Sequence, residues 1–275
     1  MAVRMTDAQL RTFGELRYEP TEKWLRASVG GRTVVDTTRA LLVWEPRRPV
    51  PTYAVPLADL AAELTPDAAA DATEPAAGTP PPVTSGRPVP HRGPFGAHTC
   101  DGQAFTVHTS AGQLAGAAFR PDDPGLGEHV LLDFAAFDAW FEENEPIVGH
   151  PRDPFHRVDL RNSSRQVRVE VAGQPVADSP RPLLLFETFF PVRYYLPPDD
   201  VRADLLRPTS THTTCAYKGV ASYWSLDFGE QVLDDVVWGY PSPLPDATAI
   251  AGRLCFDDSR VDVIVDGERL VRSGP

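Results

Sequence analysis

The chain has 275 residues, 42% of them apolar, with a formal net charge of −12 and a pI near 5.0. A negative average field of that size repels phosphate backbones and anionic lipid, so neither nucleic acid nor a membrane is expected as a partner. The length allows two domains of ordinary size, and 29 prolines, about twice the usual usage, favour short strands and turns over long helices.

No run of about 18 apolar residues is present, and Met1 to Asp7 lacks the layout of a signal peptide, which predicts a cytoplasmic protein. Cys100, Cys215 and Cys255 are too few for a disulfide framework or a Cys-rich zinc site and are expected as reduced thiols.

Residues 1–22 read as a lead-in, with Leu10, Phe13 and Leu16 at helical spacing. From Arg26 to Asp36 short apolar stretches flank Gly30-Gly31, the pattern of a β-hairpin, and the design returns from Arg168 to Asp178. Adding 142 to a residue number carries Gly31 to Gly173, Asp36 to Asp178, Arg39 to Arg181, Glu45 to Glu187, Tyr53 to Tyr195 and Pro66 to Pro208. Sixteen identities in 41 positions without a gap mark an internal duplication. Further on an offset of 117 sets Gly102 under Gly219, and 124 pairs Leu132 with Phe256. The reading is a lead-in over 1–22, a first repeat with linker over 23–160 and a second repeat over 161–275. The shrinking offset places an insert in 67–96, whose Ala, Pro, Thr and Gly offer almost no large apolar residue to offset ordering, so a disordered loop is predicted there.

Val130, Phe134, Phe137 and Phe141 would share a helical face, yet the repeat makes that stretch two short strands. In the second copy strands are predicted at 167–171, 175–178, 183–187, 193–196, 221–228, 231–238, 253–257 and 261–265, with Asp266-Gly267 turning into 268–271. Pro197 to Asp200, followed by Val201, Leu205 and Leu206, predicts one short helix.

The segments Arg168-Val169-Glu170-Val171, Leu184-Leu185-Phe186-Glu187-Thr188, Arg193-Tyr194-Tyr195-Leu196-Pro197, Thr213-Thr214-Cys215-Ala216-Tyr217-Lys218-Gly219 and Trp238-Gly239-Tyr240-Pro241 resemble the bacterial proteins catalogued as domain of unknown function 427. The likeness covers nearly all of the second copy and, more loosely, the first. It implies a mainly β chain of two tandem β-tent domains, each of short antiparallel strands with one short helix, and a pocket between the two sheets of a tent. A nucleotidyltransferase label attached to the family finds no support in these residues. No Gly-Ser opens a helix ahead of a paired-carboxylate strand, and no glycine-rich phosphate loop is present.

The stretch from Thr211 to Trp224 is the densest in chemistry. Cys215 and Lys218 lie three apart, and an ammonium beside a thiol can lower its pKa and make a nucleophile; a buried small thiol with a surface lysine is the plainer reading. Glu187, Tyr194, Tyr195, Tyr223 and Trp238 on predicted strands, with Arg181 between two of them, could line a pocket for a small polar or aromatic molecule. The retention of Arg181 and Glu187 as Arg39 and Glu45 argues equally for a structural ion pair. Allowing a two-residue gap, Cys100 answers Cys215, Asp101 stands where Lys218 does, and Thr106-Val107 stand for Tyr223-Trp224, which makes the second copy the working half. The cluster His150 to Asp159 carries two histidines, but its prolines and arginines disfavour a metal, and no metal site is expected. The expectation is a small-molecule-binding protein with a Cys215/Lys218 site, the alternative a non-catalytic ligand-sensing or protein-interaction module. Cofactor, reaction and oligomeric state are not legible.

Overall fold

The computed structural model describes residues 2–67 and 93–271. Most of the predicted insert, residues 68–92, lies outside them. The chain divides into two compact units, Met1–Asp153 and Pro154–Pro275, each with its own apolar clusters.

In the first unit helix α1 (Met5–Leu10) precedes eleven strands: β1 (Arg17–Pro20), β2 (Leu25–Val29), β3 (Arg32–Thr37), β4 (Leu41–Trp44), β5 (Thr52–Pro56), β6 (Glu63–Pro66), β7 (Gly102–Thr109), β8 (Gly112–Pro121), β9 (His129–Leu132), β10 (Ala139–Glu142) and β11 (Glu145–Ile147). The second unit continues with β12 (Val158–Asn162), β13 (Val167–Val171), β14 (Gln174–Ser179), β15 (Leu183–Glu187), β16 (Arg193–Tyr195), β17 (Leu206–Cys215), β18 (Gly219–Asp227), β19 (Val232–Gly239), β20 (Cys255–Phe256), β21 (Asp262–Val265) and β22 (Glu268–Arg269). The fold is mainly β, and all named strand pairs are antiparallel. Among the described residues no helix is long and apolar enough to cross a membrane.

The first unit holds a seven-stranded sheet in the order β1-β4-β5-β9-β8-β7-β6 and a four-stranded sheet β11-β10-β2-β3. The second repeats the small sheet as β22-β21-β13-β14 but divides the large one into β12-β15-β16 and β20-β19-β18-β17. A single bridge, Leu196 with Leu254, joins the two parts at N–O distances of 2.7 and 2.9 Å. Read across that bridge, the strand order is the same in both units. Alternation explains the burial: β2 and β13 share the pattern of buried residues at every second position, so one face of each small sheet enters the core.

Register allows the correspondence to be drawn residue by residue. Hairpins β2-β3 and β13-β14 pair identically at the offset of 142, with a bulge at the same place, after Ala27 and after Val169. The same offset relates β1 on β4 to β12 on β15, so the segment read as a lead-in contributes the strand β1. Then the second unit slips. Leu41 faces Ala54, whereas Leu183 faces Tyr195, so Tyr195 answers Ala54 and Tyr194 answers Tyr53, not the ungapped pairing of Tyr53 with Tyr195. The slip is cancelled by Leu206, which pairs with Leu226 as Leu64 pairs with Val107. Beyond it, Val107 opposite Leu114 and Leu226 opposite Leu233 correct the offset from 117 to 119.

The stretch 129–142 forms two strands separated by a 3₁₀ turn at Phe134–Ala136, as the repeat implies. The single helix expected after Pro197 is instead two 3₁₀ turns, Pro198–Asp200 and Ala203–Leu205, because Val201 between them leaves helical geometry to bridge Ala177. Strands β12 and β17 were not among the predicted elements. β12 straddles the boundary between the repeats as read, and Pro208 interrupts the pattern in β17, whose register shifts between Pro208 and His212.

Candidate functional site

Glu187 ends β15 at the rim of an apolar cluster built from Leu183, Leu185, Tyr195, Ala221, Tyr240 and Cys255. Its side chain is 9% exposed, and a carboxylate so removed from water needs compensation. Lys218 Nζ donates to both oxygens, at 2.7 and 2.6 Å, and the His156 Nε2 lies 3.0 Å from Oε1. The His156 ring stacks on Tyr217, centroids 4.3 Å apart, and meets Phe190 edge-on at 6.3 Å. Burial alone would raise the Glu187 pKa; the His156 hydrogen bond and the charge and hydrogen bonds of Lys218 outweigh it, so the carboxyl titrates below its ordinary range.

Lys218 comes from the tight link between β17 and β18, where Cys215 pairs with Gly219. Ala216, Tyr217 and Lys218 are all buried, and Gly219 at φ +92° occupies a backbone conformation that side chains rarely adopt. The local fold therefore turns the lysine inward, onto the end of β15.

The candidate residues separate into two groups. Cys215, Tyr195, Tyr223 and Trp238 share the apolar cluster on which Glu187 and Lys218 border. Trp238 Nε1 donates to the Tyr195 hydroxyl at 3.3 Å, and Tyr223 bonds Thr213 through its hydroxyl at 2.8 Å. Burial pushes the Tyr195 phenol upward, so it serves as a neutral hydrogen-bonding group.

Arg181 and Tyr194 fall elsewhere. Arg181 is exposed and grips Asp200 at 3.1 and 3.0 Å, while Ser179 bonds the same carboxylate at 2.7 Å. Arg39, Asp59 and Thr37 repeat this arrangement in the first unit, at 3.2, 2.8 and 2.6 Å. A staple kept in both units ties a loop to the 3₁₀ turn. Tyr194, one residue from Tyr195, points to the other face of β16 and packs with the small-sheet core.

His156 belongs to the site although no sequence argument singled it out for Glu187; it lies 31 residues away, in the segment read as the linker before the second repeat. A buried acid kept in both copies was the signal that a further partner existed. In the first unit Glu45, 1% exposed, receives the Thr99 amide at 2.8 Å, with His98 Nδ1 at 3.2 Å and Arg48 Nε at 3.5 Å. His98 stacks on Phe119 with centroids 3.5 Å apart. Carried upstream of β7, the offset of 119 sets His98-Thr99 against Tyr217-Lys218, correcting the pairing of Asp101 with Lys218. Cys100 lies 3.9 Å from Glu45, and burial, then the charges of Glu45 and Asp101, push its thiol up to about 12. Cys255 is likewise raised to about 12 by burial. Neither is an activated thiol.

The fold and this site define a mainly β protein of two similar units, with Glu45 and Glu187 at matching positions as nearly buried carboxylates, each beside an imidazole and an arginine or lysine. The family model described as domain of unknown function (DUF427) matches residues 17–79 and 159–267, well over half of the chain, and the chain belongs to that family. The two matches begin 142 residues apart, at Arg17 and Asp159, the offset that the strand register shows. No curated protein matches the chain.

Proposed function

We propose that the second unit is a binding module for a small polar or aromatic molecule, held at the Glu187–Lys218–His156 group and flanked by Tyr195, Tyr223 and Trp238. The observation that carries this reading is the bidentate Lys218–Glu187 contact in a nearly buried setting, because a fixed charge pair beside aromatic walls orients a ligand. The same contact weighs against covalent chemistry through Cys215 and Lys218, since an ammonium engaged with a carboxylate is neither a free amine nor a dedicated neighbour of the thiol. We infer further that the two family segments arose by duplication of one bacterial unit, and that three unpaired thiols suit a reducing cytoplasm.

A non-catalytic protein-interaction module is the second reading, favoured by Phe186, Phe189 and Phe190, which are 41%, 61% and 47% exposed. Their counterparts at the offset of 142 are the buried Trp44 and the charged Arg47 and Arg48. Phe189 also shares the left-handed backbone of Arg47, at φ 65° and 62°.

A ¹H–¹⁵N NMR titration with benzoate, benzamide and indole tests the first reading. Saturable shifts centred on 215–219 and the end of β15, lost in a folded Lys218→Met protein, are the expected result. Shifts that survive this substitution, or that never reach those residues, overturn it.

A further inference from the structure

Strands β1 and β12 each close one edge of their sheet, bonded on one side only, to β4 and to β15. The bonds at the strand ends fix which backbone groups face away. Thr188 N–H donates to the Arg157 carbonyl and Ser163 N–H to the Pro182 carbonyl, both at 3.0 Å, so Arg157, Asp159, Arg161 and Ser163 turn their backbone groups towards β15. Val158, Leu160 and Asn162 turn theirs outward, and among the described residues their amides donate to no backbone carbonyl. On β1 the bond from Thr21 N–H to the Ala40 carbonyl, at 3.1 Å, sets the same phase and leaves Leu16 and Tyr18 outward. An edge with unpaired backbone groups is a template for another strand.

The side chains divide by face. Val158 and Leu160 border the apolar cluster of the second unit and Leu16 that of the first, while Tyr18, on the same face as Leu16, is 55% exposed. The other face is charged, and its signs are reversed between the units. Glu15, Arg17 and Glu19 stand at the offset of 142 from Arg157, Asp159 and Arg161. Asp159 pairs with both of its neighbours, at 2.7 and 2.6 Å, which leaves one positive charge in excess on this edge. Glu15 and Glu19 flank Arg17, which leaves one negative charge in excess on the other. Both units fold the same strand with opposite signs, so folding does not dictate either pattern.

We propose that these edges receive each other between two copies of the chain, β1 of one copy adding antiparallel to β12 of another. One register fits. With Val158 opposite Tyr18 and Leu160 opposite Leu16, the outward residues exchange backbone hydrogen bonds and their side chains make apolar pairs on one face. On the other face Arg17 falls opposite Asp159, Glu19 opposite Arg157 and Glu15 beside Arg161. A shift of two residues either way sets Arg17 against an arginine and Asp159 against a glutamate, and like charges directly opposite destabilise a strand pair. Pro20, which has no N–H to give, falls beyond the start of β12, opposite His156. The exposed Arg161 guanidinium donates to the Leu160 carbonyl at 2.8 Å, an edge-covering contact that docking displaces towards Glu15. The charges select the register, while backbone bonds and apolar pairs supply affinity against the repulsion of two chains at −12. The contact is head-to-tail because the two edges are unlike. It needs no ligand at Glu187, and its fate is separate from that site's.

Sedimentation velocity of the full chain, from about 5 to about 500 µM, tests the assignment. The expected result is a weight-average mass that rises above 30.1 kDa with concentration. Glu19→Arg or Arg157→Glu alone should weaken the association about ten-fold or more, and the two changes in one chain should restore it to within about three-fold of the unaltered protein. An equimolar mixture of the two single variants, whose altered edges carry opposite charges, should associate more tightly than either alone. Arg157 is exposed and Glu19 half-buried, so circular dichroism should show all variants folded. A mass of 30.1 kDa at every concentration, association indifferent to the single changes, or a folded double variant that fails to regain it overturns the proposal.

Discussion

At the scale of single residues, the second unit turns on whether Glu187 keeps its partners. Substituting Lys218 by Met leaves a carboxylate at 9% exposure with one imidazole, which should cost about 3 kcal/mol of stability, while Glu187→Gln combined with Lys218→Met should recover much of that loss. Urea unfolding of the two proteins measures the difference, and equal stabilities would show the pair to be energetically idle. Acid provides the second measurement. Glu45 and Glu187 both titrate below the ordinary 4.5 in the folded chain, so the stability they contribute is complete above the unfolded value and is lost as pH falls through the folded one. Circular dichroism should accordingly show stability declining below pH 4.5, with a shallower decline in Glu187→Gln.

Residues were legible in the sequence where chemistry was dense and misleading where identity was high. Lys218 stood out in its segment, and the density was real because the β17–β18 link is buried. Tyr53 and Tyr195 align by identity, yet the one-residue slip in β16 turns Tyr195 onto the Glu187 face, a consequence of the period-two alternation of strands that identity cannot report. Arg181 was ambiguous by sequence and is resolved by Asp200, whose counterpart Asp59 sits at an offset of 141, so the ungapped alignment hid the partner. His156 reaches Glu187 only through the pairing of β12 with β15.

At the scale of elements, Gly219 sets the reach of Lys218. A Cβ there would lie 3.3 Å from the Ser242 carbonyl oxygen, on a backbone already at φ +92°. Gly219→Val should destabilise the unit by about 1–3 kcal/mol, and should also release the lysine, so that the double substitution with Lys218→Met costs less than the sum of its parts. Additive losses would show the hairpin and the ion pair to be uncoupled. The hairpins themselves were readable in advance because Gly-rich turns and alternating apolar residues encode them locally. Strand β17 was not, since its pairing with β18 is interrupted by a register shift that no local pattern announces.

At the scale of the whole molecule, the apolar clusters predict that each unit folds by itself. A chain of residues 154–275 should give a β-type spectrum and a cooperative thermal transition, because its two clusters draw on its own residues. A non-cooperative or aggregated product would show that it needs the first unit.

The one-bridge join between β16 and β20 has a consequence of its own. In the first unit three residue pairs link β5 to β9, but in the second, among the described residues, only Leu196 and Leu254 form a backbone bridge across the seam. Amide protons there have few neighbours to open with, so deuterium should enter the second unit first along this line, ahead of β13 and β18. Trp238 and Tyr195 stand on opposite sides of it, and their 3.3 Å contact fastens the two leaves from the face that carries Glu187. Anything that draws those rings together would slow exchange along the seam, making a backbone proton a reporter of events at a side chain.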